Sequence, residues 1–318
     1  PMINENRVLC MAGLKRIKQG TRIGLKSLAQ ISRIDLKKID SDDVSFKIVP
    51  KINAAGRISH ARICVSQLMA TDISNAERTA SLLNNLNTKR QKIEQKIILD
   101  IENRLLKNPR LLDNKLLFLW DDNWDPSVLG IAASKLSKKY YCPVILMSCL
   151  YEHAIGSGRS INDINIYKAL LDSENLLEKF GGHAMASGLT VKKDNLQLLN
   201  QNLNRHMEKT YSKKDFQKSM IVDAVLDLDD VNFNLAKEID RLRPFGVANQ
   251  EPIFICEDVR VVSSYIMGNC HRKMVLEKAV PLCRHQVEAF HFNISDPDDL
   301  AEYYPKIAFK LKINKFKA

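Results

Sequence analysis

Three glycine-rich segments contain the residue types that hold phosphate groups. They are residues 53–57 (Asn-Ala-Ala-Gly-Arg), 156–160 (Gly-Ser-Gly-Arg-Ser) and 181–183 (Gly-Gly-His). Glycine lets a ligand approach the backbone N–H groups, serine adds a hydroxyl donor, and the arginine fork matches two phosphate oxygens. Each segment is therefore a candidate phosphate cradle. Taken singly, each is also compatible with a turn between strands, and Gly181-Gly182 with a helix start beside a core histidine.

The residues needed to break a phosphodiester are not evident. Metal-activated hydrolysis needs carboxylates and histidines clustered around one or two cations. Asp121, Asp122 and Asp125 end a predicted strand and are able to bind a cation, but no histidine cluster accompanies them. The Cys and His residues between 270 and 285 lack the spacing of a zinc knuckle. No metal site, Ser/His/Asp triad, Walker loop or dinucleotide fingerprint is predicted, so the chain is better suited to holding a phosphate than to breaking one.

The positive charge is concentrated in the first third of the chain. Residues 1–110 hold 21 Lys+Arg against 10 Asp+Glu, which accounts for the whole net charge of +11. This asymmetry favours an anionic partner, and nucleic acid is the commonest one. A solvated basic face without a partner is the alternative interpretation.

The composition is that of a globular intracellular protein. Of the 318 residues, 45% are apolar and 27% are charged, which is enough for ordinary cores. No uncharged stretch approaches the ~18 to 20 residues needed to cross a bilayer, so a membrane-spanning protein is excluded. The seven cysteines are scattered, without a C-x-x-C pair, and predict reduced thiols in a cytoplasmic protein.

The chain before residue 113 is predicted to be helical. Short helical patterns occupy residues 1–50. The capping box of Ser74 and Glu77 then opens a helix whose apolar residues recur at steps of three, four or seven as far as about Asn108. At 1.5 Å per residue this helix is about 50 Å long. Such a helix usually bridges two domains.

The next hundred residues have the pattern of an α/β domain. A strand at 116–120, a helix at 127–139 and a strand at 143–147 form a βαβ unit, which implies a parallel pair with a right-handed crossover. Further strands are predicted at 153–160 and 188–191, helices at 166–171 and 196–209, and a linker at 211–215.

The last hundred residues are rich in short strands, which favours a small barrel of the OB type. One helix is predicted, at 235–242. The strands are predicted at 221–226, 253–255, 259–264, 273–276, 287–292 and 307–313.

Several motifs follow one another in a fixed order along nearly the whole chain. They are residues 5–7 (Glu-Asn-Arg), 53–57, the long helix, 124–136, 157–160, 180–188 and 243–246 (Arg-Pro-Phe-Gly). In this order they resemble the motifs of the RecJ family, the single-strand-specific DNA exonucleases of the DHH/DHHA1 superfamily. Ordered motifs are far more specific than any one alone.

The resemblance implies a 5′→3′ exonuclease that acts on single-stranded DNA in repair and recombination. It implies an α/β architecture with the C-terminal part of a DHH domain (1–60), a bridging helix region (61–112), a DHHA1 domain (113–212) and an OB-fold domain (213–318). Two Mn²⁺ or Mg²⁺ ions would be held by DHH motifs that lie upstream of Pro1. This chain alone is therefore expected to bind DNA without degrading it.

The resemblance also implies the site residues. A pocket for the 5′ phosphate and the nearby backbone would be formed by the motifs at 53–57 and 157–160. The Gly-Gly-His motif would lie against the catalytic cleft, with His183 catalytic. The substrate-binding residues would be Asn53, Arg57, Ser157, Gly158, Arg159, Ser160, Gly181 and Gly182, and no metal ligand is expected.

The chain departs from the family pattern at two places. Relatives have Trp-His-Pro-Gly where this sequence has Trp124-Asp125-Pro126-Ser127, and they have an acidic residue where it has Ser59-His60. The resemblance therefore does not imply which contacts the residues at these positions make.

Single-stranded DNA is the expected partner, together with a single-strand-binding protein or a helicase. Exposed aromatic residues of the barrel would stack on bases, and the candidates are Phe254, Tyr265, Phe290 and Phe292. Core packing is the alternative for each of them. Two other functions stay open: a non-catalytic single-strand-binding relative, and a DHHA1-type phosphodiesterase acting on short RNA or a dinucleotide.

Overall fold

The computed structural model of the chain describes residues 1–268, 270–279, 285–294 and 300–314. The chain divides into two compact units. One comprises Arg16–Lys218, and the other combines Pro1–Lys15 with Ser219–Ala318. The first fifteen residues thus pack with the C-terminal unit, and not with the rest of the domain predicted at 1–60.

Hydrogen bonds to backbone carbonyls hold the N-terminal residues in the C-terminal unit. The Arg7 guanidinium donates to the carbonyls of Arg241 and Arg243, at 3.2 and 3.1 Å. The Met2 N–H donates to the Val247 carbonyl at 2.6 Å. These contacts join residues more than 230 positions apart, which no local pattern reveals.

The chain before the sheet is helical, as predicted. Gly24 of the second helix lies against the fifth helix: a Cβ on Gly24 would be 1.7 Å from the Gln67 carbonyl oxygen, so only glycine fits there. Buried Leu28, Ile39 and Leu83 belong to the core of this part. The helices are α1 (Asn4–Lys18), α2 (Ile23–Ile31), α3 (Ser41–Asp43), α4 (Val49–Ile58), α5 (Arg62–Leu68) and α6 (Ile73–Lys107).

The long helix α6 starts earlier than predicted. Its N-cap is Asp72, whose carboxylate accepts a hydrogen bond from the Asn75 N–H at 2.6 Å, so the predicted capping box at Ser74 is wrong. Asp72 has extended backbone and offers its carboxylate to the free N–H groups of the first turn. The helix has 35 residues and is the longest of the chain. No helix among the described residues is long and apolar enough to cross a membrane.

The unit Arg16–Lys218 contains a five-stranded sheet of order β1-β2-β3-β5-β4. The strands β1 (Leu117–Asp121) and β2 (Val144–Leu150) are parallel and are joined by α7 (Leu129–Tyr140), which confirms the predicted βαβ unit. The remaining pairs are antiparallel: β3 (His153–Arg159) lies beside β5 (Ala186–Lys192), which pairs with β4 (Leu177–His183).

The strand β4 was not expected. Its residues are mostly exposed, because β4 is an edge strand, and it therefore lacks the apolar alternation that identifies strands. Gly181 and Gly182 end this strand and do not start a helix.

Helices cover both faces of this sheet. On one face α6 and α7 bury residues such as Ile101, Leu129 and Leu146. On the other, α8 (Ile166–Leu171) and α9 (Leu196–Thr210) cover the second core.

The predicted linker at 211–215 is wrong, because that segment packs on the α/β domain. The Tyr211 hydroxyl accepts a hydrogen bond from the Asn165 N–H at 2.9 Å, and the Tyr211 carbonyl accepts one from the Lys115 ammonium. Phe216 also packs against both cores of the domain. The division between the units falls after Lys218.

The C-terminal unit is built on a curved, mainly antiparallel sheet of order β10-β7-β8-β9, with the short β6 parallel to β7. Its core contains Leu228, Val259 and Leu276. The curled, half-closed sheet agrees with the predicted OB-like domain. The elements are β6 (Ala224–Val225), α10 (Phe233–Asp240), β7 (Phe254–Met267), β8 (His271–Lys278), β9 (Val287–Phe292) and β10 (Tyr303–Phe309).

The strand β7 joins two segments that were predicted as separate strands. Asp258 interrupts the regular backbone with a φ of 56°, and the register with β8 shifts between Val261 and Ser263. Such irregularities bend a strand and break its alternation of buried and exposed residues. The sequence pattern therefore predicted two strands where the structure has one continuous strand.

Candidate nucleic-acid interface

Arg159 and His183 lie in one row across three neighbouring strands. Arg159 on β3 pairs with Ala186 on β5, which pairs with His183 on β4. Directly paired residues project to the same face of a sheet. Two strand spacings separate the two residues, so their Cα atoms are about 10 Å apart. The small Ala186 between them leaves that space open.

A second row, next to the first, consists of Ser157, Gly188 and Gly181. A Cβ on Gly181 would meet no atom within 4 Å, and one on Gly188 would only touch the Gly156 carbonyl oxygen at 4.0 Å. Neither glycine is among the described residues with positive φ. Packing and backbone conformation therefore do not require glycine at either position. We call Gly181 and Gly188 the glycine floor.

Two other glycines of the motifs serve the fold. A Cβ on Gly158 would lie 2.4 Å from the Ser187 hydroxyl, so Gly158 is required by packing on the opposite face of the sheet. Gly182 has a φ of 140°, and a Cβ there would lie 2.2 Å from the Ala186 carbonyl oxygen. Ser160 is also internal, because its buried hydroxyl donates to the Ile164 carbonyl at 2.7 Å.

Arg57 and Arg159 come together beside the start of α7. Arg57, at the end of α4, donates from Nη1 to the Ser127 carbonyl at 3.1 Å. Arg159 lies over the first turn of α7, since a Cβ on Gly130 would be 2.7 Å from its Nη2 and 3.5 Å from the Ser157 hydroxyl. Burial, and then the positive charge of Arg57, lower the pKa of Arg159. The two guanidinium groups are therefore electrostatic neighbours.

No carboxylate among the described residues neutralises these two arginines. Within the described ranges, neither Arg57 nor Arg159 forms an ion pair. Two adjacent like charges repel each other, and a phosphate placed between them would relieve that repulsion while accepting hydrogen bonds from both forks. The N-terminus of α7 adds a positive dipole end at the same place.

The motif at residues 53–57 approaches the start of α7 along one face of α4. Asn53 is exposed on α4, one turn before Arg57, and residues four apart lie on the same side of a helix. Ser59 and His60, where the chain departs from its relatives, follow α4 and are exposed.

The acidic residues after β1 are engaged in other contacts. Burial opposes ionisation of Asp121, but the Asn123 N–H and the Arg104 guanidinium outweigh it and hold the pKa of Asp121 below its ordinary value. The Asp122 carboxylate pairs with Lys193 at 2.9 Å, and Asp125 accepts hydrogen bonds from Ser127. The predicted capacity of these carboxylates to bind a cation is thus taken up by protein donors.

Nowhere in the described parts of the chain do three His, Cys, Asp or Glu residues form a group able to hold a metal ion. Cys270 and His271 touch each other, with 3.7 Å between the sulfur and the ring nitrogens. Cys283 lies outside the described residues. The described residues therefore do not fit a divalent metal centre.

Three exposed lysines lie along one side of α6. Lys89, Lys92 and Lys96 are exposed, and in the described structure none of them has an ion-pair partner. We call them the lysine row. Arg90 lies between them on α6 but turns inward, where it pairs with the buried Glu94.

The C-terminal unit carries an exposed aromatic surface. Tyr265, Lys273 and Phe290 pair across β7, β8 and β9, and the ring of Phe292 lies 6.1 Å from that of Phe290 at an interplanar angle of 11°. The Lys273 ammonium lies 6.0 and 5.6 Å from the Tyr265 and Phe290 rings. We call these four residues the aromatic row. Phe254 was also a stacking candidate, but it is buried against Phe309, so that prediction is wrong.

Together, these features define a class of protein: an α/β domain with two arginines beside a helix N-terminus, joined to an OB-like domain with exposed aromatic residues. Residues 113–209 match the DHHA1 domain and residues 222–318 match the RecJ OB domain. The chain belongs to the RecJ family.

Curated relatives support this assignment. The chain is 34% identical over 284 residues to the single-stranded-DNA-specific exonuclease RecJ of Bacillus subtilis, a match that covers 87% of this chain and 35% of that protein. It is 30% identical over 328 residues to RecJ of Haemophilus influenzae, covering 100% of this chain and 57% of that protein. The chain thus spans about a third to just over half of the length of these relatives.

Solved structures share the fold. The crystal structure of Thermus thermophilus RecJ in complex with Mg²⁺ matches with a TM-score of 0.77 and 24% identity, over 98% of this chain and 46% of that one. The same protein in complex with Mn²⁺ matches with a TM-score of 0.75 and 25% identity, over 98% and 44%. Divalent metal ions thus accompany solved members of the family.

Proposed function

We propose that this chain is the substrate-binding part of a RecJ-type exonuclease, which degrades single-stranded DNA from the 5′ end in repair and recombination in the cytoplasm. The observation that carries the proposal is the pair Arg57 and Arg159, which has no carboxylate partner in the described structure and lies beside an open glycine floor. The names of the relatives support single-stranded DNA as the substrate.

In this proposal Arg57, Arg159 and the Ser157 hydroxyl hold the 5′ phosphate. Each guanidinium offers a fork to the phosphate oxygens, and hydrogen bonds between charged groups are about twice as strong as neutral ones. The glycine floor lets the sugar-phosphate backbone approach the sheet more closely than any side chain would allow. Asn53 contacts the same end of the strand from α4.

His183 lies on β4, at the opposite end from Arg159 of the row of paired residues across β3, β5 and β4. Its Nδ1 accepts a hydrogen bond from the Met185 N–H at 3.3 Å. In the neutral imidazole the proton is then on Nε2, which can donate to a phosphate oxygen of the substrate. We propose that His183 orients the phosphodiester to be cleaved.

The lysine row and the aromatic row bind the rest of the strand. Lysines contact phosphates without regard to sequence, and exposed aromatic rings stack on any base. This combination fits a nuclease that accepts every single-stranded sequence.

Hydrolysis requires a metal-ligand set, and the described residues offer no group able to hold a metal ion. We propose that the Mn²⁺ or Mg²⁺ ions belong to a DHH domain outside this sequence, and we assign no metal ligand and no hydrolytic step to the described residues. The chain by itself is expected to bind single-stranded DNA without degrading it.

The proposal is tested by measuring the affinity of the chain for one oligonucleotide with a 5′ phosphate or a 5′ hydroxyl. Arg159→Ala should weaken binding of the phosphorylated strand by roughly tenfold or more, since a charge-assisted hydrogen bond is worth about 1.5 to 3 kcal/mol. Binding of the hydroxyl strand should change little. Arg205→Ala is the matched control, because Arg205 is exposed on α9 and its described hydrogen bond is to Asn202 of the same helix. Equal losses for both strands would contradict the phosphate pocket.

A further inference from the structure

A short turn precedes α7 and is held by the side chain of its first residue. The Val128 N–H donates to the Asp125 carbonyl at 3.3 Å and closes the turn over Pro126 and Ser127. The Asp125 carboxylate accepts from the Ser127 N–H at 2.9 Å and from the Ser127 hydroxyl at 2.6 Å. Aspartate followed by proline is favoured at the first two positions of such a turn. Asp125 therefore fixes the orientation of Ser127.

The residue before this turn is anchored on both sides. The Trp124 indole donates to the Asp100 carboxylate of α6 at 3.0 Å, and the Trp124 carbonyl accepts from the buried Ser148 hydroxyl of β2 at 2.6 Å. Trp124 itself is buried. The start of the turn is thus held by the domain core, and the direction of the following peptide groups depends on Asp125.

The Ser127 carbonyl is the acceptor that holds Arg57. The Arg57 side chain is otherwise exposed, and its described hydrogen bond is the one from Nη1 to that oxygen. A long exposed arginine has many rotamers, and one fixed acceptor selects among them. Asp125, Ser127 and Arg57 thus form a chain of two hydrogen-bonded contacts that ends beside Arg159.

We propose that Asp125 is a positioning residue for the phosphate pocket: it orients the Ser127 carbonyl, which in turn directs the Arg57 guanidinium toward Arg159. This inference rests on the proposed function, since it concerns the same pocket. It also accounts for the two substitutions within the Trp-His-Pro-Gly pattern, because Asp125 and Ser127 are hydrogen-bonded to each other.

The hydrogen bonds of Asp125 and its negative charge have opposite effects on the affinity of the pocket for an anion. A carboxylate near the pocket repels a phosphate, whereas its hydrogen bonds to Ser127 hold the pocket in shape. Asp125→Asn removes the charge and retains an acceptor oxygen for the turn, and Asp125→Ala removes both. The pair of variants therefore separates the two effects.

The test uses the full chain and the ratio of affinities for a 5′-phosphorylated and a 5′-hydroxyl oligonucleotide. We expect Asp125→Ala to reduce this ratio at least about fivefold, the equivalent of one hydrogen bond. Asp125→Asn should keep the ratio or raise it. Ser127→Ala, which retains the backbone N–H bond to Asp125, should keep most of it.

A second measurement separates this inference from the proposed function. Side-chain ¹⁵N relaxation of the Arg57 Nε–H should show an ordered guanidinium in the parent and in Asp125→Asn, and a mobile one in Asp125→Ala. If the parent shows no phosphate preference, the proposed function is wrong, while the relaxation still tests the positioning role. An unchanged ratio and an ordered Arg57 in Asp125→Ala would overturn the inference, as would equal losses in Asp125→Ala and Asp125→Asn.

Discussion

The guanidinium groups of Arg57 and Arg159 are close enough for the charge of Arg57 to contribute, after burial, to a lowered pKa of Arg159. The two residues come from the end of α4 and the end of β3, and they meet beside the first turn of α7. Holding two like charges together costs free energy unless an anion lies between them. That cost is the physical reason to expect a phosphate at this place, and it leads to the following predictions.

The glycine floor should tolerate a methyl group in the free protein but not in the complex. For Gly188→Ala we expect a free energy of unfolding that is unchanged or raised by about 0.5 to 1 kcal/mol, because alanine loses less conformational freedom on folding. Binding of single-stranded DNA should weaken, because the methyl group occupies the space that the strand needs. Chemical denaturation and fluorescence anisotropy measure the two effects.

Gly158→Ala is the matched control for the glycine floor. Its methyl group would lie 2.4 Å from the Ser187 hydroxyl and 2.8 Å from Ile166, so this variant should be destabilised. If Gly188→Ala lost stability as well, or if it bound DNA like the parent, the glycine floor would not be a contact surface.

The lysine row should determine part of the salt dependence of binding. Replacing Lys89, Lys92 and Lys96 by Gln should reduce the slope of log Kobs against log salt by about 2, at roughly 0.7 for each phosphate contact on a single strand. The control variant replaces three exposed lysines elsewhere, Lys168, Lys209 and Lys214. Equal slopes for the two triple variants would show that the lysine row has no specific contact with the strand.

The aromatic row should bind bases and contribute little to folding. Phe290 and Phe292 are 40% and 63% exposed, so alanine at either position should change stability only slightly. Affinity for an oligonucleotide should fall by about 1 to 3 kcal/mol for each stacked base lost, and an abasic strand should show no such loss. Phe233→Ala is the control, because Phe233 is 65% exposed on α10 of the same unit. A similar loss in that variant, or on the abasic strand, would argue against stacking.

Asp121 should make the stability of the α/β domain depend on pH. Its pKa is lowered in the folded state, so its contribution is present above the ordinary carboxyl pKa of 3.8 and is lost as the pH falls through the lower folded value. Asp121→Asn should therefore destabilise the protein at pH 7, and the difference from the parent should shrink in acid. Denaturation of both proteins between pH 7 and pH 3 measures it.

The control for this pH dependence is Asp122→Asn. The Asp122 side chain is 64% exposed and pairs with Lys193 at the surface, where ion pairs contribute ~1 kcal/mol or less. If the stability difference between the parent and Asp121→Asn stayed constant with pH, Asp121 would stabilise the fold through its shape and not through its charge.

The sequence by itself determined the elements that carry strong periodicity. The long helix, the βαβ unit and strand β9 were all predicted close to their observed positions, because burial along one helix face or between parallel strands leaves a repeating pattern. The motifs were also visible, since glycine, serine and arginine in close succession have a direct chemical meaning.

Only the tertiary structure decided which of those residues meet. The proximity of Arg57 to Arg159 depends on how α4 packs near α7. Space for a Cβ exists at Gly188 and not at Gly158, because the two residues face opposite sides of the sheet. The inward turn of Arg90 and the burial of Phe254 are likewise set by distant neighbours. Local sequence encodes periodicity, but contacts between distant segments arise from strand register and helix packing, and these exist only once the chain is folded.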